Sequence, residues 1–534
     1  MVESIQVLVV LLVVLAAATL LAARLRIPPS ILLVLVGILL ALLPGLPSVQ
    51  LAPEIMLLLV LPALVYSAAV AMSWREFRFN LRPISLLAIG CVLFTTLATA
   101  AAAHWVLGLA WPLGFLLGAI ISPPDSIAPL AIARRMHLPR RILVILEGEG
   151  LADDATALIL YRFAVVAVSV GAFSLRHAVV NFLAVLLGEL LWGVAVGWLM
   201  LRLRRWVREP RIEITLSIIT PYLAYWPPEH LGGSGVLATV TAGLYISWNG
   251  LRLISAATRL QGVFFWDFLI YLIEGMVFLV TGLQVRPLLA GIRGYSAWDL
   301  IDWAALVCAV VILARFVWMY PATYIPRWLS ASLRQRDPAP PWQWPFVLAF
   351  TGVRGVVSLA AALSIPLATD SGAPFPERNL IIFLTFAVIL VTLVGQGLAL
   401  PRVIGWLSLA SAGDSERREE REAEYAARRE AVRAALERLE QIRQQRSLDA
   451  QEVQSLRERH LGRLAHAEQR VDGDETHREL SRRDEALEAI LIAAERDRIN
   501  ELYRAGELMD EPRRRIEREL DLRDAQLANL RDEP

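Results

Sequence analysis

Residues 147–158 read EGEGLADDATAL and place four carboxylates within eight positions of an otherwise apolar segment. Glu149 and Asp153 lie one helical turn apart, and Asp154 is rotated by about 100° from Asp153. An ionised side chain at bilayer depth costs about 2.5–3.5 kcal/mol on insertion scales, so each one needs a partner or a function. Neighbouring carboxylates in a low dielectric do not all ionise cheaply, and we expect at least one to hold a proton or a cation. A cytoplasmic loop with helix-capping acids, the alternative, fits Glu147 but not Asp153 or Asp154.

Apolar sequence surrounds this segment on both sides. The chain has 534 residues, of which 56% are hydrophobic, and thirteen apolar segments lie between residues 5 and 400. Most of them reach the roughly 17–25 residues that span a bilayer. The shortest segment, 212–226, is the weakest candidate span. The predicted fold class is therefore an all-α polytopic membrane protein with about 13 transmembrane helices over residues 1–410.

Residue types missing from the chain exclude several classes of function. All 52 basic residues are arginine. Without lysine, the chain carries neither a phosphate-loop ATPase nor Schiff-base chemistry. Residues 232–235 read GGSG and resemble the nucleophile of an intramembrane hydrolase, but the later histidines all lie in the tail, so a base is missing and close helix packing is the better interpretation. We expect no enzymatic activity and no cofactor.

The arginines also predict the orientation of the chain in the membrane. Twenty loop arginines fall on one side of the predicted spans and four on the other. Arginine accumulates in cytoplasmic loops, so we expect the N-terminus outside the cell and the C-terminus in the cytoplasm. The predicted location is the plasma membrane, with the lipid bilayer as a partner.

The tail, residues 411–534, has a different composition, with 25 arginines against 32 acids. It is rich in Ala, Leu, Glu and Arg, and Glu–Arg pairs three or four positions apart stabilise helices in water. We predict a cytoplasmic tail that forms a solvated helical hairpin or short coiled coil, with a break at 471–474. A regulatory or dimer-stabilising role is the alternative, and its partner is not predictable. The excess of acids indicates no nucleic-acid binding.

A first helix break is predicted in the segment 112–133. Ser122, Pro123, Pro124, Asp125 and Ser126 follow one another at its centre. The two prolines remove two N–H donors and interrupt the helix. Interrupted spans are tolerated where they line a cavity, and their free backbone groups form ion sites. Asp125 is therefore a candidate ion ligand, and a proline kink with an incidental acid is the alternative.

A second break is predicted at residues 351–358, which read TGVRGVVS. Two glycines flank Arg354 inside an apolar span, and a buried arginine without a partner is too costly. We expect Arg354 to pair with Glu149, which leaves Asp125, Asp153 and Asp154 for the ion. The two breaks lie in the two halves of the chain, as in a transporter built from inverted repeats.

Two further charges fall inside predicted spans. Glu274 and Arg315 either pair with each other, or Glu274 has a second proton-carrying role. Glu189 and Asp267 are similar but weaker cases.

Four motifs together resemble a known family. Residues 121–129, 146–163, 234–243 and 351–366, in this order and spacing, resemble the monovalent cation:proton antiporter family. The resemblance is to its sodium/proton exchanger branch, and within that to bacterial members with a cytoplasmic helical tail. It implies a homodimer of thirteen-span protomers, each with a dimer domain and a core domain. It also implies that two broken helices cross beside the ion site, and that an elevator-like movement alternates access.

The resemblance assigns roles to individual residues. Asp154 corresponds to the carboxylate that binds the cation and the proton in competition, and Asp125 to the acid of the first broken helix, so Na⁺ is expected at these two residues. Glu149 and Arg354 correspond to a structural ion pair. The family's asparagine is Asp153 here, which leaves the stoichiometry open. A threonine ligand is replaced by proline, and Ser122 or Ser126 are its candidate substitutes.

The sequence thus predicts a secondary antiporter that exchanges Na⁺, with Li⁺ and K⁺ as alternatives, for protons, and so contributes to pH and sodium homeostasis. The alternative is an ion channel or an ion- or pH-responsive sensor on the same fold. Broken helices with buried acids favour the carrier, since channel pores more often use rings of carbonyls or charges from several subunits.

Overall fold

A computed structural model gives the structure of the protein, and it consists of two compact units, Met1–Asp414 and Ser415–Pro534. It describes residues 2–43, 53–170, 175–207, 209–250, 253–292, 294–370, 372–446, 453–458, 460–461, 475–505 and 509–531. Throughout these ranges the secondary structure is helical, apart from one isolated β-bridge between Ala368 and Pro374.

The described residues of the first unit form eighteen helices that we number in chain order, and a nineteenth begins at the end of this unit. The first nine are α1 (Val2–Leu25), α2 (Pro29–Leu42), α3 (Pro53–Ala71), α4 (Trp74–Phe79), α5 (Leu81–Trp105), α6 (Trp111–Ile121), α7 (Ile127–Arg135), α8 (Arg140–Val170) and α9 (Leu175–Arg204). The others are α10 (Pro210–His230), α11 (Val236–Gly250), α12 (Ala256–Leu283), α13 (Val285–Gly291), α14 (Ala297–Leu329), α15 (Ala331–Arg336), α16 (Gln343–Phe350), α17 (Val356–Leu363), α18 (Arg378–Trp406) and α19 (Ala410–Arg446).

Seven helical stretches in the described ranges are long and apolar enough to cross a membrane: α1, α3, α5, α9, α12 with α13, α14 and α18. The described residues of each of the thirteen apolar segments include α-helix. The number of 13 membrane crossings remains a prediction. Both predicted breaks are present. Helix α6 ends at Ile121, before Pro123 and Pro124, and α16 ends at Phe350, before the stretch that contains Arg354.

Glycines let the helix backbones of the first unit approach closely. A Cβ atom at Gly114 or Gly118 of α6 would overlap the backbone of α5, and one at Gly282 of α12 would overlap that of α2. In apolar lipid there is no hydrophobic driving force between helices. Small residues at the helix crossings allow tight van der Waals packing instead. The GGSG stretch at 232–235 belongs to such a contact, because Gly233 has no room for a side chain beside Glu189.

Glu189 has a structural role at that contact. The side chain is 3% exposed and accepts hydrogen bonds from the backbone N–H groups of Ser234, Gly235 and Leu237 at 2.6–3.1 Å. These groups begin α11, where a helix leaves N–H donors unpaired and its dipole favours a negative charge. Glu189 on α9 therefore caps a different helix, and this contact accounts for its charge within an apolar segment.

The second unit consists of the remainder of α19, two further helices and short described stretches between them. α20 (Glu475–Arg504) and α21 (Asp510–Arg531) are paired by ion pairs of Arg523 with Glu488 and Glu495, and they bury Ile492 and Leu520. A coiled coil remains a prediction, and the predicted break at 471–474 lies outside the described residues.

Replacing Glu189 by alanine should destabilise the first unit. Three backbone N–H donors, two of them buried, lose their acceptor. A buried donor without a partner costs about 1–3 kcal/mol. We expect a clear fall in the thermal unfolding midpoint of the detergent-solubilised protein. Glu147→Gln is the matched control, since the contact of Glu147 within the described residues is an exposed pair with Arg134. Equal midpoints for the two variants would contradict the capping role.

Candidate functional site

The two interrupted helices meet at their breaks. The backbone N–H of Asp125 donates a hydrogen bond of 2.7 Å to the carbonyl of Val353. The Asp125 carboxylate accepts one of 2.9 Å from the N–H of Ile127 and so caps the start of α7. A Cβ atom at Gly355 would overlap this carboxylate, which therefore lies directly against the glycine backbone. The segment between α16 and α17 thus packs directly against one side of the Asp125 side chain.

Arg354 binds the backbone at both breaks, and the predicted pair of Glu149 with Arg354 is wrong. The guanidinium donates hydrogen bonds to the carbonyls of Ile121 (2.8 Å), Ser122 (3.2 Å) and Gly352. The side chain is 1% exposed. The physical reason is that α6 and α16 end inside the protein, where their last carbonyls have no helical donor and their dipoles favour a cation.

Glu149 pairs instead with Arg315 of α14. Nη1 and Nη2 of Arg315 donate to the two carboxylate oxygens of Glu149 at 2.5 and 2.8 Å, and its Nε donates to the carbonyl of Leu348. Both side chains are at most 2% exposed. A bidentate pair of this kind offsets part of the cost of burying two charges. Arg315 is therefore engaged by Glu149, and it does not serve as the partner of Glu274.

The two arginines lie close together on either side of Gly352. A Cβ atom at this glycine would overlap Arg315 Cδ and approach Arg354 Nη1 within 2.8 Å. Glycine is required here because the chain passes between two guanidinium groups. Both arginines of this buried region therefore have partners: Arg315 pairs with Glu149, and Arg354 donates to backbone carbonyls.

Asp153 is fully buried and only partly satisfied. Its Oδ1 accepts a hydrogen bond of 2.8 Å from the N–H of Asp154. Its Oδ2 is buried and has no hydrogen-bond partner in the described part of the chain. A buried charge without a partner is costly, and protonation removes that cost. The geometry therefore suits a carboxyl group that carries a proton.

Asp154 faces a narrow pocket on the other side of α8. Besides Asp154 the pocket is lined by Ala119, Ile120, Pro123, Ala157, Leu158, Tyr161, Val357, Ser358 and Ala361. These residues come from α6, its break, α8 and α17, so the pocket adjoins the crossing of the interrupted helices. Asp125 is near enough for its charge to interact with that of Asp154. A carboxylate in this position can exchange a bound ion with the pocket.

The two serines of the first break do not share one role. The Ser122 hydroxyl donates to the carbonyl of Ala119 at 3.3 Å, and the residue is 2% exposed. Ser126 packs against α8, where a Cβ atom at Gly150 would overlap its hydroxyl group. Their predicted role as ion ligands remains a prediction.

Glu274 lies on α12, partly buried, and its charge interacts with that of Asp125. One turn further along α12, Val277 packs in a cluster with Ala128 of α7 and Val356 of α17. Glu274 is therefore on a helix that contacts the crossing, and a proton-carrying role for it remains a prediction.

Two polar contacts at the site were not predicted from the sequence. The Thr392 hydroxyl of α18 accepts a hydrogen bond of 2.9 Å from the backbone N–H of Arg354. The Ser364 hydroxyl donates one of 3.0 Å to the Tyr161 hydroxyl at the end of the pocket. The only signal for either was an isolated hydroxyl in an apolar segment, which is too common to single out a residue.

The pairing of Glu149 with Arg315 can be tested by a double-mutant cycle. Removing one member of a buried pair costs about 3–5 kcal/mol, because the other charge is left uncompensated. We expect Glu149→Gln and Arg315→Met each to lower the unfolding midpoint strongly, and the double variant to recover part of the loss. The same cycle with Arg354→Met should show weaker coupling to Glu149. Stronger coupling to Arg354 would restore the pair predicted from the sequence.

Comparisons with known proteins agree with this architecture. The family model "Sodium/hydrogen exchanger, transmembrane" matches residues 8–406. An uncharacterised Na⁺/H⁺ exchanger of Mycobacterium tuberculosis is 39% identical over 407 residues, which are 75% of this chain and 74% of that protein. A sodium, potassium, lithium and rubidium/H⁺ antiporter of Bacillus subtilis is 35% identical, over 70% of this chain and 57% of that protein.

The fold also has a solved relative. The sodium proton antiporter MjNhaP1 from Methanocaldococcus jannaschii has a TM-score of 0.62 at 20% identity, over 75% of this chain and 98% of that one. The predicted family is therefore confirmed: the chain belongs to the sodium/hydrogen exchanger family of monovalent cation:proton antiporters.

Proposed function

We propose that the protein exchanges monovalent cations, with Na⁺ as the first candidate, for protons across the plasma membrane. The observation that carries this proposal is the position of Asp154, on a pocket beside two interrupted helices. Exchange of this kind would contribute to pH and sodium homeostasis. Family membership supports cation/proton antiport, and the Bacillus subtilis relative, a sodium, potassium, lithium and rubidium/H⁺ antiporter, extends the candidates to K⁺, Li⁺ and Rb⁺.

Asp154 would act as the shared carrier. A carboxylate binds either a proton or a cation, so each ion displaces the other, and the gradient of one ion would drive transport of the other. Asp125 would complete the site from the first break, where its Oδ1 is already committed to Ile127. Carboxylate and hydroxyl oxygens are suitable ligands for alkali cations, and the pocket contains both in Asp154 and Ser358.

Asp153 would hold an additional proton. Both buried arginines are committed, to Glu149 and to backbone carbonyls, so neither neutralises Asp153. Five buried or partly buried acids, Asp125, Glu149, Asp153, Asp154 and Glu274, lie in this region with two arginines. One Na⁺ neutralises only part of the excess negative charge, and protons would neutralise the rest. This count supports a transport cycle in which more than one proton is exchanged for each cation.

The proposed topology follows the arginine distribution, with the N-terminus outside and the tail in the cytoplasm. A homodimer and an elevator-like movement are part of the proposal, on the basis of the family resemblance.

The test is proton movement in proteoliposomes after addition of Na⁺, Li⁺ or K⁺, comparing the wild type with Asp154→Asn. We expect cation-driven proton flux in the wild type that falls in acid, because protons then occupy the carrier. In Asp154→Asn the flux should fall to that of protein-free liposomes. Glu147→Gln, on the same helix, is the matched control and should retain wild-type flux.

Three results would contradict the proposal. Flux that survives Asp154→Asn would assign the carrier to another acid. Rates that stay flat from acidic to alkaline pH would argue against competition at one carboxylate. Currents far faster than carrier turnover would identify a channel on the same fold.

Replacing Asp153 by asparagine should preserve exchange and change its electrical character. Asparagine keeps the shape of the protonated acid but carries no titratable proton. We expect exchange by Asp153→Asn to depend less on an imposed membrane potential than exchange by the wild type. Complete loss of flux in a folded variant would instead make Asp153 an essential ion ligand.

A further inference from the structure

A second group of charges, outside the proposed ion site, lies at the ends of several helices. Arg82 at the start of α5, Arg141 at the start of α8 and Arg327 near the end of α14 surround one acid, Asp337. Their guanidinium groups contact its carboxylate at 2.6, 2.8 and 2.8 Å. We call these four residues the arginine cluster. All of them lie at helix ends that the arginine distribution predicts to face the cytoplasm.

The arginine cluster carries an excess of positive charge. Burial alone would raise the pKa of Asp337, but the hydrogen bonds and charges of Arg141 and Arg327 outweigh it and hold that pKa below its ordinary value. Asp337 is therefore ionised at neutral pH, and arginine does not lose its proton. Three cations face one anion, so two positive charges remain uncompensated within the cluster.

Neighbouring groups do not remove this excess. Glu76, an acid close in sequence to the cluster, accepts two hydrogen bonds from Arg140, at 3.1 and 2.8 Å. Arg141 donates its Nε to Asn80, which is neutral. Arg82 Nη1 is buried and has no hydrogen-bond partner in the ranges that the structure describes. An anion with several oxygen acceptors would satisfy both the charge and the donors.

One arginine would suffice to pair Asp337, and the three arginines repel one another, so the cluster holds more positive charge than joining these helix ends requires. Arg82 and Arg141 expose 29% and 23% of their side chains, whereas Arg327 exposes 7%. An approaching anion therefore meets Arg82 and Arg141 first. Arg327 is held behind them, where its Nε donates to the Asp337 carbonyl.

Exposed apolar side chains border the cluster in sequence. Phe79 is 70% exposed and its ring centroid lies 5.7 Å from the Arg141 guanidinium carbon. Leu81 is 46% exposed beside Arg82, and Trp328 is 78% exposed beside Arg327. Aromatic side chains at helix ends are typical of the level of the lipid headgroups. Charge and apolar surface together fit a ligand with a phosphate group and acyl chains.

We propose that Arg82 and Arg141, supported by Arg327 and Asp337, bind the phosphate group of an anionic phospholipid on the cytoplasmic side. Guanidinium groups match the geometry of phosphate oxygens, and basic pockets between transmembrane helices accept anionic headgroups. The site is separate from the proposed antiport function and does not depend on which cation is carried.

The test measures the thermal unfolding midpoint of the full-length protein in detergent with added phosphatidylglycerol or phosphatidylcholine. We expect phosphatidylglycerol to raise the midpoint of the wild type more than phosphatidylcholine does. The double variant Arg82→Gln/Arg141→Gln should lose at least half of this difference. Arg78→Gln, at an exposed position on α4 outside the cluster, is the matched control and should retain it.

Asp337→Asn separates binding from a purely structural role. It removes the only acid of the cluster, so the midpoint without lipid should fall while the response to phosphatidylglycerol increases. Arg82→Lys, which keeps the charge, should retain most of the response. If both Asp337→Asn and the arginine variants lower the midpoint equally in the two lipids, the cluster only holds helix ends together and the proposal is wrong.

Adding inorganic phosphate in the same assay distinguishes a lipid headgroup from a soluble phosphate as the bound anion. It should compete weakly with phosphatidylglycerol, because it lacks the acyl chains that Phe79, Leu81 and Trp328 would contact. A full shift with inorganic phosphate alone would overturn the lipid as ligand and assign the site to a soluble phosphate.

Discussion

The hydrogen bonds of Arg354 to backbone carbonyls are the interaction on which the proposed ion site depends. A helix that ends within a membrane leaves carbonyls without donors, and hydrocarbon offers none. Arg354 supplies donors to both breaks, to Ile121 and Ser122 on one side and to Gly352 on the other. The bond from Asp125 to Val353 closes the crossing from the opposite direction. The pocket wall therefore keeps its shape because one side chain holds two interrupted helices together.

The acids in the apolar part of this chain have three different kinds of environment. These environments differ in the groups that contact the carboxylate. Glu149 is neutralised by a bidentate arginine, and Glu189 caps a helix that has no capping side chain of its own. Asp153 and Asp154 have no cationic partner at hydrogen-bond distance in the described residues. An intramembrane acid is thus a stronger candidate for function when no arginine neutralises it, as with Asp153 and Asp154 in the described residues.

The positions of the breaks and of the acid cluster could be predicted from the sequence, because proline, glycine and charge act locally. Pro123 and Pro124 remove donors wherever they occur, and four acids in eight positions need an explanation in any apolar segment. The choice of partners could not be predicted. Glu149 and Arg315 are separated by 166 positions. A sequence reveals that a buried arginine needs acceptors, but not that Arg354 finds them in the backbone.

The length of α8 has an electrical consequence. Its 31 residues extend over about 46 Å at 1.5 Å per residue, which exceeds the roughly 30 Å of the hydrocarbon core. Asp154 is the fifteenth of these residues and so lies near the middle of the helix. In the proposed exchange, with α8 centred in the bilayer, an ion that reaches Asp154 from either solution would cross roughly half of the membrane voltage, worth about 1.2 kcal/mol per unit charge at 100 mV. The membrane voltage would then act with similar strength on an ion that enters from the outside and on one that enters from the cytoplasm. The depth of the carboxylate alone would not favour ion release to either side.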